Sequence, residues 1–355
     1  MSETKGRYGD EALLAALVNG LPDATFVISR DGRIIAANLA ARSVAPSLRL
    51  NEPLSRSLRA TDVLDALDGV LAGGGAEKVV WAERIPVERW FEAHVAPLRL
   101  AGYEPAAIIS LHDLTETRRV ERMRVDFVAN ASHELRTPLA SLLGFVETLQ
   151  GPAKTDAAAR EKFLSIMREQ AQRMARLIDD LLSLSRIEQH LHLRPATPVD
   201  LTMLVSHMVE TLTPMARESG AQLNCALDDD VVVPGDHDEL TRVVENLIEN
   251  AIKYGRKDDA KAPNEVEISL RAKGDVAVLS VRDHGPGVAP EHIPRLTERF
   301  YRVDAGKSRA KGGTGLGLAI VKHIVLRHRG RMAIESRLGA GSLFRVTLPL
   351  GMSDA

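Results

Sequence analysis

The sequence predicts a multi-domain chain. Residues 1–115 read as a small α/β domain, 116–192 as an antiparallel helical hairpin that pairs with a second copy into a four-helix bundle, and 193–355 as an α+β sandwich. Three observations carry this. Short apolar strand-like runs lie before Thr115, and runs that alternate at period two follow Pro198. Between them apolar residues recur at steps of three and four, the mark of amphipathic helices. Breaks at Gly151-Pro152 and Arg194-Pro195 punctuate the helical stretch.

In the first domain a helix over Glu11 to Leu17 leads into strands at 24–29 and 34–38, joined by the turn Arg30-Asp31-Gly32-Arg33. An Asp-Gly pair between apolar runs is a hairpin signal, because glycine accepts the positive φ that the turn demands. Further strands are expected at 78–81, 89–95 and 106–112. The first hairpin helix starts near Thr117 and lines one side with Val120, Met123, Phe127, Leu135, Leu142, Val146 and Leu149. After a polar loop to about Asp156, the second carries Phe163, Ile166, Gln170, Met174, Leu177, Leu181 and Leu184. Two such helices cannot close a core alone, so a homodimer is the economical solution; a hairpin packed on a neighbouring domain is the alternative. Residues 194–198 read as a linker. Helices are expected at 202–218, 237–253 and 315–328, and strands at 221–227, 265–271, 276–282, 330–336 and 342–348. Residues 256–264 read as a polar surface insert.

Composition removes several classes. The net charge of -2 gives no general electrostatic case for nucleic acid or an anionic membrane. One cysteine, Cys225, excludes an internal disulfide and a cysteine-rich metal site, and fits a reducing compartment. No apolar run approaches the roughly 20 residues of a membrane span, and no signal peptide is visible. A cytoplasmic chain is expected; the soluble part of an inner-membrane protein is the alternative.

The most informative stretch is Phe127-Val128-Ala129-Asn130-Ala131-Ser132-His133-Glu134-Leu135-Arg136-Thr137-Pro138-Leu139. It places a histidine and an acid on a helix that a proline weakens five residues later, since Pro138 removes the bond to the Glu134 carbonyl. Three further motifs lie in the last domain. Glu245-Asn246-Leu247-Ile248-Glu249-Asn250-Ala251-Ile252-Lys253-Tyr254 sets Asn246 and Asn250 on one helix face, where amide oxygens suit Mg²⁺. Asp283-His284-Gly285-Pro286-Gly287 ends a strand; its carboxylate can accept from an adenine amine, and Gly285 and Gly287 let a base approach the backbone. Gly312-Gly313-Thr314-Gly315-Leu316-Gly317 opens a helix whose free amides meet phosphate. No Gly-Lys-Ser/Thr follows, so this is not a P-loop. Each motif alone has a plainer meaning: a surface histidine, solvated asparagines, a turn, a glycine-rich connection.

Together, in this order, they are far more specific. The histidine stretch resembles the H-box of the sensor histidine kinases of two-component systems. The other three resemble the N-, G1- and G2-boxes of the Bergerat ATP-binding fold, and Arg299-Phe300-Tyr301-Arg302-Val303-Asp304 resembles the F-box. The first domain resembles a PAS sensor domain, including Asn38 after the second strand and the exit Leu111-His112-Asp113-Leu114-Thr115. His284 stands where the family often has asparagine. Within the family the chain looks most like the phosphate-regulon sensor kinases of proteobacteria, which implies phosphate-starvation signalling.

The resemblance implies ATP and Mg²⁺ as cofactors and phosphoryl transfer from ATP to His133, with Glu134 accepting a hydrogen bond from its other ring nitrogen. The phosphoryl group would pass to an aspartate of a separate response regulator, and Thr137 would orient water for the reverse dephosphorylation. It further implies a nucleotide site from Asn246, Asn250, Lys253, Tyr254, Asp283, Gly285, Gly287, Arg302, Gly313, Thr314, Gly315, Leu316 and Gly317. Asn250 would serve the metal, Lys253 and Arg302 the phosphates, and the F-box stretch with Ala305 to Lys311, residues 299–311, would form a mobile lid over ATP. Two other classes compete: a Bergerat ATPase that drives conformational change, which has no use for the H-box, and a non-catalytic dimeric scaffold, which would tolerate loss of Asn250, Asp283 or the glycines.

Overall fold

The computed structural model describes residues 14–83, 88–99, 106–256, 264–304, 306 and 313–351. The chain divides into two compact units, Met1–Val128 and Ala129–Ala355. Of the expected helix at 11–17, residues 11–13 lie outside the described set; 14–19 are helical.

The first unit is an antiparallel sheet of five strands: β1 (Ala24–Ile28), β2 (Ile34–Ala37), β3 (Glu77–Glu83), β4 (Arg89–Leu98) and β5 (Ala106–Asp113). Their order is β2-β1-β5-β4-β3. Gly32 takes the positive φ (71°) that the hairpin turn needs. Two helices that the sequence reading left out, α1 (Leu39–Val44) and α2 (Thr61–Leu71), cover one face. Val63, Leu67 and Val70 of α2 pack with Phe26, Ile28, Phe91 and Ile109 in one core. Asn38 earns its place mechanically. Its Oδ1 accepts from the Ala41 and Thr25 N–H groups (2.8 and 3.1 Å), capping α1. Its Nδ2 donates to the Asp23, Leu21 and Val18 carbonyls. One amide thus ties the hairpin to the chain that precedes it.

Helix α3 (Thr115–Gln150) begins in the first unit and runs unbroken through Pro138. Its first turn is fixed by Asp113, whose carboxylate accepts from the Thr115 N–H (2.9 Å) and pairs with Arg89 (2.9 Å). Burial raises the Asp113 carboxyl, but these bonds outweigh it and hold the group below its ordinary value. After a break at 151–156, α4 (Ala157–Gln189) starts on an Asp156 cap. The expected seam is half-buried to buried from Phe127 onward, with Leu177 and Leu184 fully inside. A second apolar row, Leu139, Leu143, Leu164, Ile178 and Leu182, stands exposed.

The remainder is a mixed sheet of β7 (Ala221–Leu227), β9 (Asn264–Lys273), β10 (Val276–Asp283), β11 (Arg331–Arg337) and β12 (Gly341–Pro349), in the order β11-β12-β10-β9-β7. All pairs are antiparallel except β7 with β9. Val266, Ile268 and Leu270 of β9 and Ala277, Leu279 and Val281 of β10 are buried at every second position. Helices α5 (Leu201–Glu218), α6 (His237–Tyr254) and α7 (Gly317–Arg327) supply the facing layer. Leu204, Val205, Leu247, Ile248, Ile320 and Ile324 are buried there, each contributing roughly 1.5–3 kcal/mol. The presumed linker 194–198 needs correction. Residues Thr197–Asp200 form β6, which pairs with β8 (Val232–Gly235). Pro198 of the expected linker faces Pro234 in that register, so both prolines sit where a two-stranded edge needs no donor. No described helix is long and apolar enough to cross a membrane.

Candidate active site

The nucleotide boxes converge because the fold leaves no room for side chains where they meet. Helix α6 starts on Asp236, which accepts from Asp238 and Glu239. Asn246 donates to the Arg242 carbonyl (2.8 Å), and its amide oxygen lies against Gly317, where a Cβ would overlap it. Gly285 sits against the backbone of Tyr254 and Gly255, again with no space for a Cβ. Gly315 takes φ 75° and packs on Phe300, whose N–H donates to the Gly315 carbonyl (2.8 Å). The three boxes and the F-box therefore line one region. Gly287 (φ 68°) abuts the Arg337 carbonyl, and Gly341 the Asp283 carbonyl.

Asp283 is 5% exposed. Its Oδ1 accepts from the Gly285 N–H (2.9 Å) and the Ser342 N–H (3.3 Å). Burial nevertheless pushes its carboxyl above the ordinary value. His284 points elsewhere and meets Glu267 (3.0 Å), so its departure from the family pattern falls outside the pocket. Asn250 lies one turn beyond Asn246 on α6, flanked by Glu249 and, further back, Glu245, whose carboxyl is raised by burial and by Glu249. Such an oxygen-rich, partly acidic face fits a hard cation already chelated by phosphate. Among the described residues no cluster of three or more His, Cys, Asp or Glu forms a metal site.

On α3, His133 and Thr137 are exposed, and the Thr137 hydroxyl donates to the His133 carbonyl (3.2 Å). Glu134 and Lys253 hold other partners in this structure. Glu134 is bonded to arginines and not to the His133 ring: Arg302 reaches it at 3.1 and 3.4 Å and Arg173 at 3.2 Å. A half-buried carboxylate draws guanidinium forks more strongly than an imidazole. Lys253, expected at phosphate, is paired with Glu249 one turn back. Arg302 also donates to the Gly313 carbonyl (2.8 Å). Of the expected lid, 305 and 307–311 lie outside the described residues.

The hairpin adds partners that sequence reasoning missed. Asp180 of α4 accepts from the Thr314 hydroxyl (2.9 Å), and burial pushes its carboxyl up. Glu188 pairs with Arg299 and faces His323 (3.6 Å). Arg299, Arg302 and Thr314 thus each meet a carboxylate on the hairpin.

Family models match the chain in the same order. Residues 18–119 match a PAS fold, 123–190 the His Kinase A phospho-acceptor domain, and 235–352 the histidine kinase-, DNA gyrase B- and HSP90-like ATPase. The chain belongs to the sensor histidine kinase family. Its ATPase domain supports the use of ATP. This kinase-family chain is 40% identical over 239 residues to the phosphate regulon sensor protein PhoR of Pseudomonas aeruginosa, covering 67% of this chain and 52% of that protein. It is 37% identical over 248 residues to the sensor protein kinase WalK of Staphylococcus saprophyticus, covering 70% and 40%. The chain thus spans about half the length of these relatives. Among solved structures, histidine kinase ThkA in complex with the response regulator TrrA shares the fold, with a TM-score of 0.50 and 20% identity over 94% of this chain and 98% of that one.

Proposed function

We propose that the chain is an ATP-dependent protein-histidine kinase that phosphorylates itself on His133 and passes the phosphoryl group to an aspartate of a response regulator. The observation that carries this is the contact between Arg302, at the nucleotide boxes, and Glu134, beside the histidine. It puts a phosphate-binding candidate and the acceptor turn in one hydrogen-bonded cluster. We assign the sensor role to 1–115, dimerisation and phospho-acceptance to 116–192, and nucleotide binding to 193–355. ThkA, described in complex with a response regulator, supports the choice of partner.

In this reading Asp283 accepts from the adenine amine, and Gly285 and Gly287 admit the base. Asn246, Tyr254 and Gly313 to Gly317 border the phosphates, and Asn250 offers its oxygen to Mg²⁺. When bound, Mg²⁺ neutralises charge on the phosphates. Arg302 exchanges Glu134 for the nucleotide, and one oxygen of Glu134 becomes available to the imidazole N–H. The imidazole lone pair attacks the γ-phosphorus, the bond to the bridging oxygen breaks, and ADP leaves. The reaction draws on cytoplasmic ATP. The likeness to PhoR favours a phosphate-starvation signal, read by the first domain.

Incubation with γ-labelled ATP tests the class. An acid-labile, base-stable protein phosphate supports the kinase, turnover without labelled protein an ATPase, and neither a scaffold. Thr137→Ala is expected to lower dephosphorylation of the regulator roughly ten- to hundred-fold while autophosphorylation persists. Equal loss of both would make Thr137 structural. We further propose a homodimer that covers Leu139, Leu143, Leu164, Ile178 and Leu182, an apolar row that a monomer leaves in water. Sedimentation of the whole chain should give a dimer, and Leu143→Arg with Leu182→Arg a monomer; a wild-type monomer at micromolar concentration would refute the pairing.

A further inference from the structure

Glu134 is shared by two arginines with different attachments. Arg302 belongs to the F-box and straddles the carboxylate, Nη1 on Oε1 (3.4 Å) and Nη2 on Oε2 (3.1 Å). Arg173 lies on α4, the partner helix of the same hairpin, and reaches Oε2 alone (3.2 Å). All three side chains are largely inside, at 6%, 14% and 19% exposure for Arg302, Arg173 and Glu134. The buried Arg302 Nε has no hydrogen-bond partner, so its fork is incompletely satisfied and open to another acceptor.

If Arg302 moves to phosphate, Glu134 loses two of these three bonds. A half-buried carboxylate without a counter-charge is costly and free to rotate. Arg173 prevents both. Its planar guanidinium stays on Oε2, fixes the plane of the carboxylate and leaves Oε1 bare. That is the geometry a carboxylate needs to receive the imidazole N–H of His133 one residue away. We propose that Arg173 is a positioning residue for phosphoryl transfer: it holds Glu134 paired and oriented after Arg302 has left for the nucleotide. This rests on the role assigned to Glu134 above.

The test is a double-mutant cycle on the full chain, read as kcat and KM for ATP in autophosphorylation. Arg173→Gln is expected to lower kcat about ten-fold, the scale of one charge-assisted hydrogen bond, with KM for ATP unchanged. Arg173→Lys, which keeps the charge without the fork, should recover part of the loss. In a Glu134→Gln background, Arg173→Gln should cost nothing further. A merely structural arginine would give the same loss in both backgrounds, and that result overturns the proposal. So does a silent Arg173→Gln when Glu134→Gln is slow, which leaves the role of Glu134 standing. A Glu134→Gln chain at wild-type rate removes the role of Glu134 itself and the proposal with it. Circular dichroism and titration with a non-hydrolysable ATP analogue establish that each variant is folded; if Arg173→Gln unfolds the hairpin, Arg173→Lys carries the same comparison.

Discussion

Replacing His133 by glutamine is expected to abolish acid-labile labelling by ATP while leaving nucleotide affinity nearly unchanged. The side chain is exposed on α3. Glutamine keeps a polar side chain and a good helix propensity, so the helix survives. What it lacks is an imidazole ring nitrogen to attack phosphorus. Label retained at the wild-type level would put the phosphate on another residue and end the assignment. The same variant gives the baseline for Thr137→Ala, because transfer to the regulator should vanish with His133 but not with Thr137.

Asp283→Asn is the second large effect. It removes the acceptor proposed for the adenine amine, and affinity for a non-hydrolysable ATP analogue should fall roughly ten- to hundred-fold. Stability should move the other way or not at all, because burial already disfavours the charged carboxyl. The pH dependence follows from the same shift. A carboxyl raised by burial takes up its proton at a higher pH than an ordinary aspartate. Binding that needs the ionised form should therefore weaken as pH falls through that raised value, while the asparagine variant stays flat. Calorimetric titration across the acid range separates the two; superimposable curves would remove Asp283 from the pocket.

The sequence exposed most of the second unit's framework because its signals are local. The alternation Val266, Ile268, Leu270 and the period along α6 are each contained in one short segment, and the ends of these five sheet strands fall within two residues of the expected ones. The nucleotide boxes are legible for the same reason: each is a contiguous run. The losses are equally physical. β6 and β8 pair through two prolines, which composition reads as breaks. α1 is only six residues long and leans on the Asn38 cap, a tertiary feature. The partners of the site, Arg173, Asp180 and Glu188, are ordinary helix residues until α4 is placed against the boxes. One signal was present: Arg173 falls three residues after Gln170 and four before Leu177, an inward position that a charged side chain occupies only with a partner.

The glycines of the G1 region carry a lesson about decay. Gly287 is held to its identity by the Arg337 carbonyl, and Gly341 by that of Asp283, contacts that belong to the backbone itself and involve no nucleotide. A descendant that ceased to turn over nucleotide would be obliged to keep both, or lose the sheet edge. Their persistence in a sequence therefore testifies to an intact scaffold and says little about living chemistry. The residues whose erosion marks a silenced copy are those the scaffold does not need, His133 and Asn250 first among them.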